Sequence, residues 1–379
     1  MTGKKQKFLF VYLKTGGGHY APAKAVSDYI NNHMGENAEA VLADGLEKSI
    51  WLARLIILDS YRFLQNRAKW IFELIYAVHK LKSFSYLSAF LASINTEKYI
   101  EETILKELPD KILIFHFLLI DPVYKVLKKH NLEIPVTTLV TDPYSAPLLW
   151  YLKKDQNFIL FSGLLKDRLI RYGVDEKNIR VFNFTLDEKY SRCASPEEII
   201  QYKMKHGFKK EKVLLILGGG DGIPRGIQIL KNILKSSRSF EIAFVCGNNK
   251  AMYNEAVKLK KKPGSDDLKI YGYVDFVHEL ISSADLVITK CGASTFMQIL
   301  LSKKIPVVNS YIWEQEKGNV DFLVENNLGV FEKRIDKLSV VIDNLLFRNE
   351  ALAVYKNNIE RAGLKNGTAD VAGYIVSSK

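Results

Sequence analysis

The sequence predicts an α/β protein of two doubly wound domains, each a parallel sheet with helices on both faces. Three observations lead to this prediction. At the start of the chain, and again from Lys212, a short apolar strand is followed by a glycine-rich turn and then a helix. After Lys212, short apolar segments alternate with helical ones, a pattern typical of parallel sheets. The chain has 379 residues, more than one hydrophobic core usually organises.

The first domain is expected to span residues 1–190. Its opening strand is predicted at Lys7–Leu13, its turn at Thr15–His19 and its helix at Pro22–Ile30. Proline suits the first turn of a helix, where its missing N–H is not needed, so the helix is expected to begin at Pro22. Further strands are predicted at Ala38–Leu42, Lys111–Phe117, Val136–Val140 and Phe158–Phe161.

The stretch 51–82 interrupts this alternation, because it contains no strand pattern. Aromatic and basic residues recur there at helical spacing. We therefore expect one or two amphipathic helices inserted in the first domain.

The second domain is expected to span residues 191–355, after a linker near 187–197 that ends in a helix beginning at Ser195. Its strands are predicted at Val213–Leu217, Glu241–Cys246, Leu268–Tyr271, Leu286–Thr289 and Pro306–Asn309. Its helices are predicted at Gly226–Leu234, Lys250–Leu259, Val277–Ser283 and Thr295–Ser302. Residues 356–379 are expected to form a C-terminal helix, whose return to the first domain is left open.

Composition narrows the class of partner. The 54 lysines and arginines outnumber the 42 acidic residues, which gives a net charge of +12 and favours polyanions. No nucleic-acid recognition motif accompanies the charge, which leaves anionic lipid or a phosphorylated substrate. The three cysteines are far apart, so neither a zinc site nor a disulfide framework is expected. Without a signal peptide or an apolar run of about twenty residues, a cytoplasmic protein with peripheral membrane contact is expected.

The first glycine-rich turn carries Gly16, Gly17, Gly18 and His19. Glycines between a strand and a helix let the backbone approach a ligand, and the helix N-terminus suits anions. A histidine there can act as a general base. Two alternatives stay open: a tight turn with a surface histidine, and a loose dinucleotide fingerprint with Asp44 as its acid, which is the weaker of the two.

Three loops of the second domain are candidates for ligand binding. Each follows a predicted strand, and ligands of open α/β sheets bind at the carboxyl ends of the strands. Small residues there favour a diphosphate, and the polar residues favour a polyhydroxylated ligand. The candidate residues are Gly218, Gly219, Gly220, Arg225, Gly292, Ser294, Thr295, Gln298, Gln315, Glu316 and Asn319. The last three are expected in a polar loop over 313–319 that ends in a helix start.

With these motifs in place, the chain resembles the monogalactosyldiacylglycerol synthases and the bacterial processive diacylglycerol glucosyltransferases. More remotely, it is similar to the transferase that adds N-acetylglucosamine to lipid-linked muramyl-pentapeptide. The matching segments are 15–26, 217–226, 245–250, 270–295 and 313–331, and in this order they span nearly the whole chain. The resemblance implies the GT-B fold of two facing Rossmann-like domains with a cleft between them.

The resemblance also implies roles for the candidate residues. A UDP-sugar would bind the C-terminal domain, with its uracil near Tyr273 and Val274, its diphosphate at the glycine loop and Ser294–Thr295, and its sugar at Gln315 and Glu316. His19 matches the histidine thought to deprotonate the acceptor hydroxyl, which then attacks the anomeric carbon and inverts it. Asp142 falls in the acceptor region. Backbone N–H groups would stabilise the leaving UDP, so no metal or cofactor is expected.

The insert 51–82 lies where these lipid glycosyltransferases keep their acceptor and membrane-binding helices. Its composition suits an anionic membrane surface, because aromatic rings settle at the interface and bases attract headgroups. The residues expected to contact the membrane are Trp51, Arg54, Arg62, Phe63, Arg67, Lys69 and Trp70. An ordinary helix pair packed on the domain is the alternative.

Two departures from the family pattern keep other functions open. Gln298 stands where the family has a glutamate expected to bind the ribose, and Asn183-Phe184-Thr185 replaces a Gly-x-Pro. The leading hypothesis is an inverting hexosyltransferase acting on diacylglycerol. The alternatives are a transferase for a polyprenyl-linked or other amphiphilic acceptor, a non-catalytic nucleotide-sugar-binding regulator and, less favoured, a UDP-sugar epimerase.

Overall fold

The structure is a computed structural model that describes residues 5–14, 17–47, 96–235, 239–262 and 264–378. The predicted insert at 51–82, with all seven expected membrane-contact residues, lies outside these ranges. The chain divides into two compact units. The first comprises Met1–Glu188, Trp313–Gln315 and Asn366–Lys379, and the second comprises Lys189–Ile312 and Glu316–Lys365.

The first unit contains a six-stranded sheet in the order β2-β1-β3-β4-β5-β6. Its strands are β1 (Gln6–Tyr12), β2 (Ala38–Asp44), β3 (Lys111–Ile114), β4 (Val136–Leu139), β5 (Asn157–Leu160) and β6 (Ile179–Val181). Its described helices are α1 (Gly17–His33), α2 (96–107), α3 (Ile120–Lys129), α4 (Gly163–Tyr172) and, from the chain's end, α13 (Thr368–Ser377). All its strand pairs are parallel, and the strand order reverses between β1 and β3.

The second unit contains a six-stranded parallel sheet in the order β12-β11-β10-β7-β8-β9. Its strands are β7 (Lys212–Leu217), β8 (Phe240–Val245), β9 (Leu268–Tyr271), β10 (Leu286–Lys290), β11 (Ile305–Ser310) and β12 (Val330–Phe331). Its described helices are α5 (Pro196–Lys205), α6 (Gly226–Ile233), α7 (Lys250–Lys260), α8 (Val277–Ser283), α9 (Ala293–Leu301), α10 (Trp313–Glu325), α11 (Ile335–Phe347) and α12 (Asn349–Arg361). The strand order reverses between β7 and β10.

The predicted fold class is confirmed, since both units are parallel α/β sheets. Buried apolar runs explain why: the five residues Val213–Leu217 of β7 are all inaccessible to solvent or nearly so. Strands buried on both faces need such continuous runs. The strand β12 was not predicted, because it is only two residues long.

The predicted starts of helices α1 and α10 are wrong. Helix α1 begins at Gly17, so Pro22 lies inside it rather than in its first turn. Helix α10 begins at Trp313, so the expected polar loop is helical. In both cases packing overrides local propensity, which favours a loop at glycines and polar residues. Helix α6 begins at Gly226, as predicted.

The last helix, α13, is fixed to the first unit by a buried lysine. Lys111, at the start of β3, donates from Nζ to the carbonyls of Ile375 (3.1 Å) and Ser378 (2.6 Å) and to the Ser378 hydroxyl (2.8 Å). Burial lowers the pKa of this ammonium. A cation at a helix C-terminus satisfies carbonyls that have no partner within the helix. At the other end of α13, Thr368 Oγ1 donates to Leu186 O at 2.7 Å.

Replacing Lys111 by methionine should therefore release the end of α13. Methionine keeps the apolar stem but removes the three hydrogen bonds, so we expect the unfolding free energy of the first unit to fall by about 1–3 kcal/mol. Urea denaturation of the full chain measures this change. Lys106→Met, on an exposed side chain nearby in sequence, is the matched control and should be neutral. An unaltered urea midpoint in Lys111→Met would show that the cap contributes nothing.

Within the ranges described, no helix is both long and apolar enough to cross a membrane.

Candidate functional site

The predicted base His19 lies in the first turn of α1, after β1, at the point where the strand order of the first sheet reverses. His116 follows β3, the neighbouring strand, and the centres of the two imidazole rings are 4.3 Å apart. Thr141 follows β4, and its Oγ1 lies 2.7 Å from Nδ1 of His19. Three adjacent parallel strands thus deliver two histidines and a hydroxyl to one edge of the sheet, where ligands of such folds bind.

The His19 ring is neutral at physiological pH. Burial lowers its pKa to about 4, and a hydrogen bond with the backbone of Phe115 opposes the shift only in part. His116 is also buried, and burial together with the neighbouring His19 holds its pKa well below the usual range. Its Nδ1 accepts a hydrogen bond from the backbone N–H of Leu118 at 3.2 Å. A neutral imidazole is the form that accepts a proton, as a general base must.

Asp142, predicted in the acceptor region, is buried next to Thr141. Its Oδ2 accepts a hydrogen bond from Nε1 of Trp150 at 2.8 Å. Trp150 is fully buried, and its ring centre lies 6.0 Å from that of His19. Asp142 is thus fixed beside the histidine pair.

The glycines before His19 are placed as follows. Gly17 and Gly18 form the first residues of α1, and an added Cβ would meet no atom of the described residues within 4 Å at either position. Space therefore remains open next to the backbone there. Gly16 lies outside the described residues.

The predicted diphosphate loop, Gly218–Gly222, follows β7 and is shaped by close backbone contacts. A Cβ at Gly218 would lie 2.2 Å from the backbone of Ile223, so only glycine fits there. Gly219 (φ +82°) and Gly222 (φ +76°) both adopt the left-handed region, which glycine favours. The backbone N–H of Asn248, after β8, donates to Gly220 O at 2.8 Å and braces the loop.

Helix α9 brings its N-terminus to this loop. Gly292 is its N-cap and provides no side-chain hydrogen bond, while Ser294 is buried in its first turn. Thr295 Oγ1 lies 3.8 Å from the position a Cβ would take on Gly219. The loop after β7 and the helix after β10 therefore meet where the second sheet reverses, and the helix N-terminus adds partial positive charge. This arrangement suits a diphosphate.

The other predicted donor residues are placed as follows. Gln298 is half-buried on the next turn of α9, and Arg225 is exposed just before α6. Tyr273 is 69 % exposed after β9. Val274 beside it packs against the hydrophobic core. Gln315 clusters with the first unit, whereas Glu316 belongs to the second.

Two residues of α10 already have hydrogen-bond partners. Glu316 is buried, and its Oε2 accepts from the backbone N–H of Ile312 at 2.7 Å. Asn319 is fully buried, and its Nδ2 donates to Cys291 O at 2.8 Å. Asn319 thus ties α10 to the turn after β10.

Sequence reasoning assigned no role to several residues at these sites. His116 completes the histidine pair. Lys290 is the last residue of β10, and its ammonium lies 3.4 Å from Glu316 Oε1. Gly247 (φ +58°) approaches Gly220 so closely that a Cβ would lie 2.2 Å from its carbonyl oxygen. Gly247 and Lys290 directly follow predicted strands, which was the available signal, whereas His116 falls inside the predicted strand Lys111–Phe117.

Known proteins resemble this chain in both parts. The monogalactosyldiacylglycerol (MGDG) synthase family matches residues 19–183, and the glycosyltransferase family 28 C-terminal domain matches residues 213–369. Monogalactosyldiacylglycerol synthase 1 of Arabidopsis thaliana is 26% identical over 360 residues, which cover 89% of this chain and 64% of that protein. The processive diacylglycerol beta-glucosyltransferase of Bacillus pumilus is 24% identical over 380 residues, covering 98% of this chain and 94% of that protein.

The chain thus spans slightly less than two thirds of the first plant relatives, 64% of the length of each. Among solved structures, MurG of Acinetobacter baumannii has the same fold, with a TM-score of 0.57 at 14% identity over 98% of this chain and 99% of that one. The fold is therefore that of the GT-B glycosyltransferases. The resemblance predicted from the motifs is confirmed: this chain is related to the monogalactosyldiacylglycerol synthases and the processive diacylglycerol glucosyltransferases.

Proposed function

We propose that the protein is an inverting glycosyltransferase that moves a hexose from a UDP-sugar to diacylglycerol. The observation that carries this proposal is the order of the two matched families along one chain, 19–183 and then 213–369. The named activities of the plant and bacterial relatives supply the acceptor class.

The second unit is suited to the donor. The glycine loop after β7 and the N-terminus of α9 offer backbone N–H groups and a positive helix end to a diphosphate. The same groups stabilise the charge that develops as UDP leaves. In this proposal they replace a resident metal or cofactor. The sugar lies toward Gln315 and Glu316, and Gln298 takes the place of the family's ribose-binding glutamate.

The first unit is suited to the acceptor. His19 takes the proton of the acceptor hydroxyl, which then attacks the anomeric carbon from the side opposite to UDP. Thr141 fixes the orientation of the ring through its 2.7 Å contact with Nδ1. His116 excludes water from one side of the ring by packing against it.

An acceptor panel tests this proposal. Release of UDP from UDP-glucose and UDP-galactose is measured with diacylglycerol vesicles, with a polyprenyl-linked sugar and with neither. Release that depends on diacylglycerol supports the proposal. Release that depends on the polyprenyl substrate alone would replace the acceptor, and UDP binding without release under any condition would favour the non-catalytic regulator.

The pKa of His19 predicts an unusual pH profile. Because burial lowers the folded-state value from 6.5 to about 4, the ring stays neutral as the pH falls from 7 to about 5. We therefore expect kcat/KM to fall only as the pH approaches 4. An exposed histidine base would instead make kcat/KM fall near pH 6.5. Initial rates between pH 4 and 8 measure the limb, with UDP binding followed over the same range.

The same lowered pKa of His19 makes the stability of the folded chain depend on pH. The unfolded chain binds a proton at His19 near pH 6.5 and the folded chain near 4, so stability falls as the pH drops through this window, by about 3 kcal/mol in total. His19→Gln should lose this part of the acid sensitivity. An acid limb in kcat/KM near 6.5 would contradict the buried neutral base.

We further propose that the insert 51–82 binds the inner face of an anionic membrane. Replacing Arg62, Arg67 and Lys69 by glutamate should weaken binding to anionic vesicles, followed by co-sedimentation, by at least about a hundredfold, since each base contributes about 1 kcal/mol near the surface. The matched control reverses Lys258, Lys260 and Lys261 of the second unit and should bind as the unaltered chain does. Equal binding by both triple variants at low salt would remove the insert as the membrane contact.

A further inference from the structure

His206, which sequence reasoning left without a role, packs under the loop expected to receive the nucleobase. It is the C-cap of α5, far from that loop in sequence. Its ring stacks on Phe276, with ring centres 4.7 Å apart and planes 24° apart. Its edge meets Tyr271 at 6.3 Å and 86°. Tyr271 ends β9 and Phe276 caps α8, so the ring contacts both ends of the loop 272–275.

A second set of contacts holds the histidine in place. Nε2 of His206 lies 2.7 Å from Oε2 of Glu279, in the first turn of α8. Lys205 donates from Nζ to the other carboxylate oxygen of Glu279 at 2.8 Å. The side chain of His206 is only 7 % exposed. The end of α5 is thereby fixed to the start of α8, the helix into which the loop runs.

The loop is also connected to the glycine loop of the candidate diphosphate site. A Cβ on Gly272 would lie 3.9 Å from Gly247 O, and the backbone N–H of Asn248, beside Gly247, donates to Gly220 O. Val274 packs against the core, and this packing fixes the backbone around Tyr273 relative to the sheet. His206 therefore acts on the loop backbone through its contacts with Tyr271 and Phe276. This backbone is the part of the loop that is expected to face the base.

We propose that His206 is a positioning residue for nucleobase recognition: its ring holds the loop 272–275 in the shape that accepts the base of the donor. This inference rests on the proposed function, because it assumes that the loop receives uracil. His206 does not touch the donor itself. Removing the His206 side chain should weaken binding of the base and leave the diphosphate contacts unaltered.

The test compares affinities for UDP and for pyrophosphate in the full chain. His206→Ala should weaken UDP binding about tenfold, since the ring stack and the bond to a charged partner are both lost. Pyrophosphate affinity should stay within about twofold, and the KM for the UDP-sugar should rise with little change in kcat. His206→Phe keeps the stacked ring and should recover most of the UDP affinity, which a purely structural hydrogen bond would not allow.

His130→Ala is the matched control, because His130 makes a similar bond to Glu101 (2.6 Å) in the first unit. It should leave UDP and pyrophosphate binding unaltered. UDP affinity unchanged in His206→Ala would overturn the inference, as would equal losses of UDP and pyrophosphate binding, or a His206→Phe variant as weak as His206→Ala. If the unaltered chain binds pyrophosphate but binds uridine and adenine nucleotides equally well, both the inference and the proposed donor are overturned. Normal UDP binding without transfer would affect the proposed function alone.

Discussion

Replacing His19 by alanine is expected to lower the rate of transfer by about 10²- to 10⁴-fold, the usual contribution of a general base. The residue is buried beside His116 and Thr141 at the reversal point of the first sheet. UDP affinity should be unchanged, because the candidate diphosphate and nucleobase residues belong to the second unit. Single-turnover transfer and UDP titration measure the two quantities separately.

His33→Ala is the control for this experiment. His33 ends the same helix and bonds to Glu188 at 3.0 Å, but it is exposed. It should transfer sugar at the unaltered rate. Transfer by His19→Ala at the rate of the His33 control would remove His19 as the base, whereas a parallel loss of UDP binding would point to a general structural effect.

Gly218→Ala should have the second-largest effect. The added Cβ would lie 2.2 Å from the backbone of Ile223, so the glycine loop must move. We expect the unfolding free energy of the second unit to fall by about 1–3 kcal/mol and UDP affinity to fall at least about tenfold. Thermal denaturation and UDP titration follow the two effects.

Gly220→Ala provides the comparison. An added Cβ meets nothing within 4 Å there, so stability should stay within about 0.5 kcal/mol. If the diphosphate binds this loop as proposed, the added methyl group would crowd it, and UDP should bind more weakly. A Gly220→Ala variant with full UDP affinity would place the diphosphate away from this loop.

The strands were the most predictable part of the fold. Runs such as Val213–Leu217 are apolar at every position and end at glycines, and the structure gives β7 within one residue of the prediction. Helix starts were less predictable. Gly17 and Gly18 have low helix propensity, and Pro22 cannot donate to the carbonyl of Gly18, yet α1 includes all three. Packing of α1 on β2 and α13 outweighs these local preferences.

The candidate site residues that the sequence identified are those that follow a predicted strand. His19 and Ser294 follow predicted strands, and their loops contain glycine. What the sequence could not supply was the pairing between strands. His116 meets His19 because β3 lies beside β1 with Ile114 opposite Val11. The sequence of neither strand determines which residues of a parallel pair lie opposite each other. His206 meets Phe276 for a similar reason, since α5 and α8 are joined through side chains distant in sequence.

Transfer of label from radioactive UDP-sugars to an organic-extractable lipid tests the central claim most directly. Diacylglycerol vesicles, the full chain and pooled UDP-hexoses are incubated, and the extract is resolved and its anomeric configuration determined. The account predicts a labelled glycolipid of inverted configuration that disappears with His19→Ala and persists with His33→Ala. Measurable UDP binding with no labelled lipid, in a chain that is folded and bound to the vesicles, would contradict it.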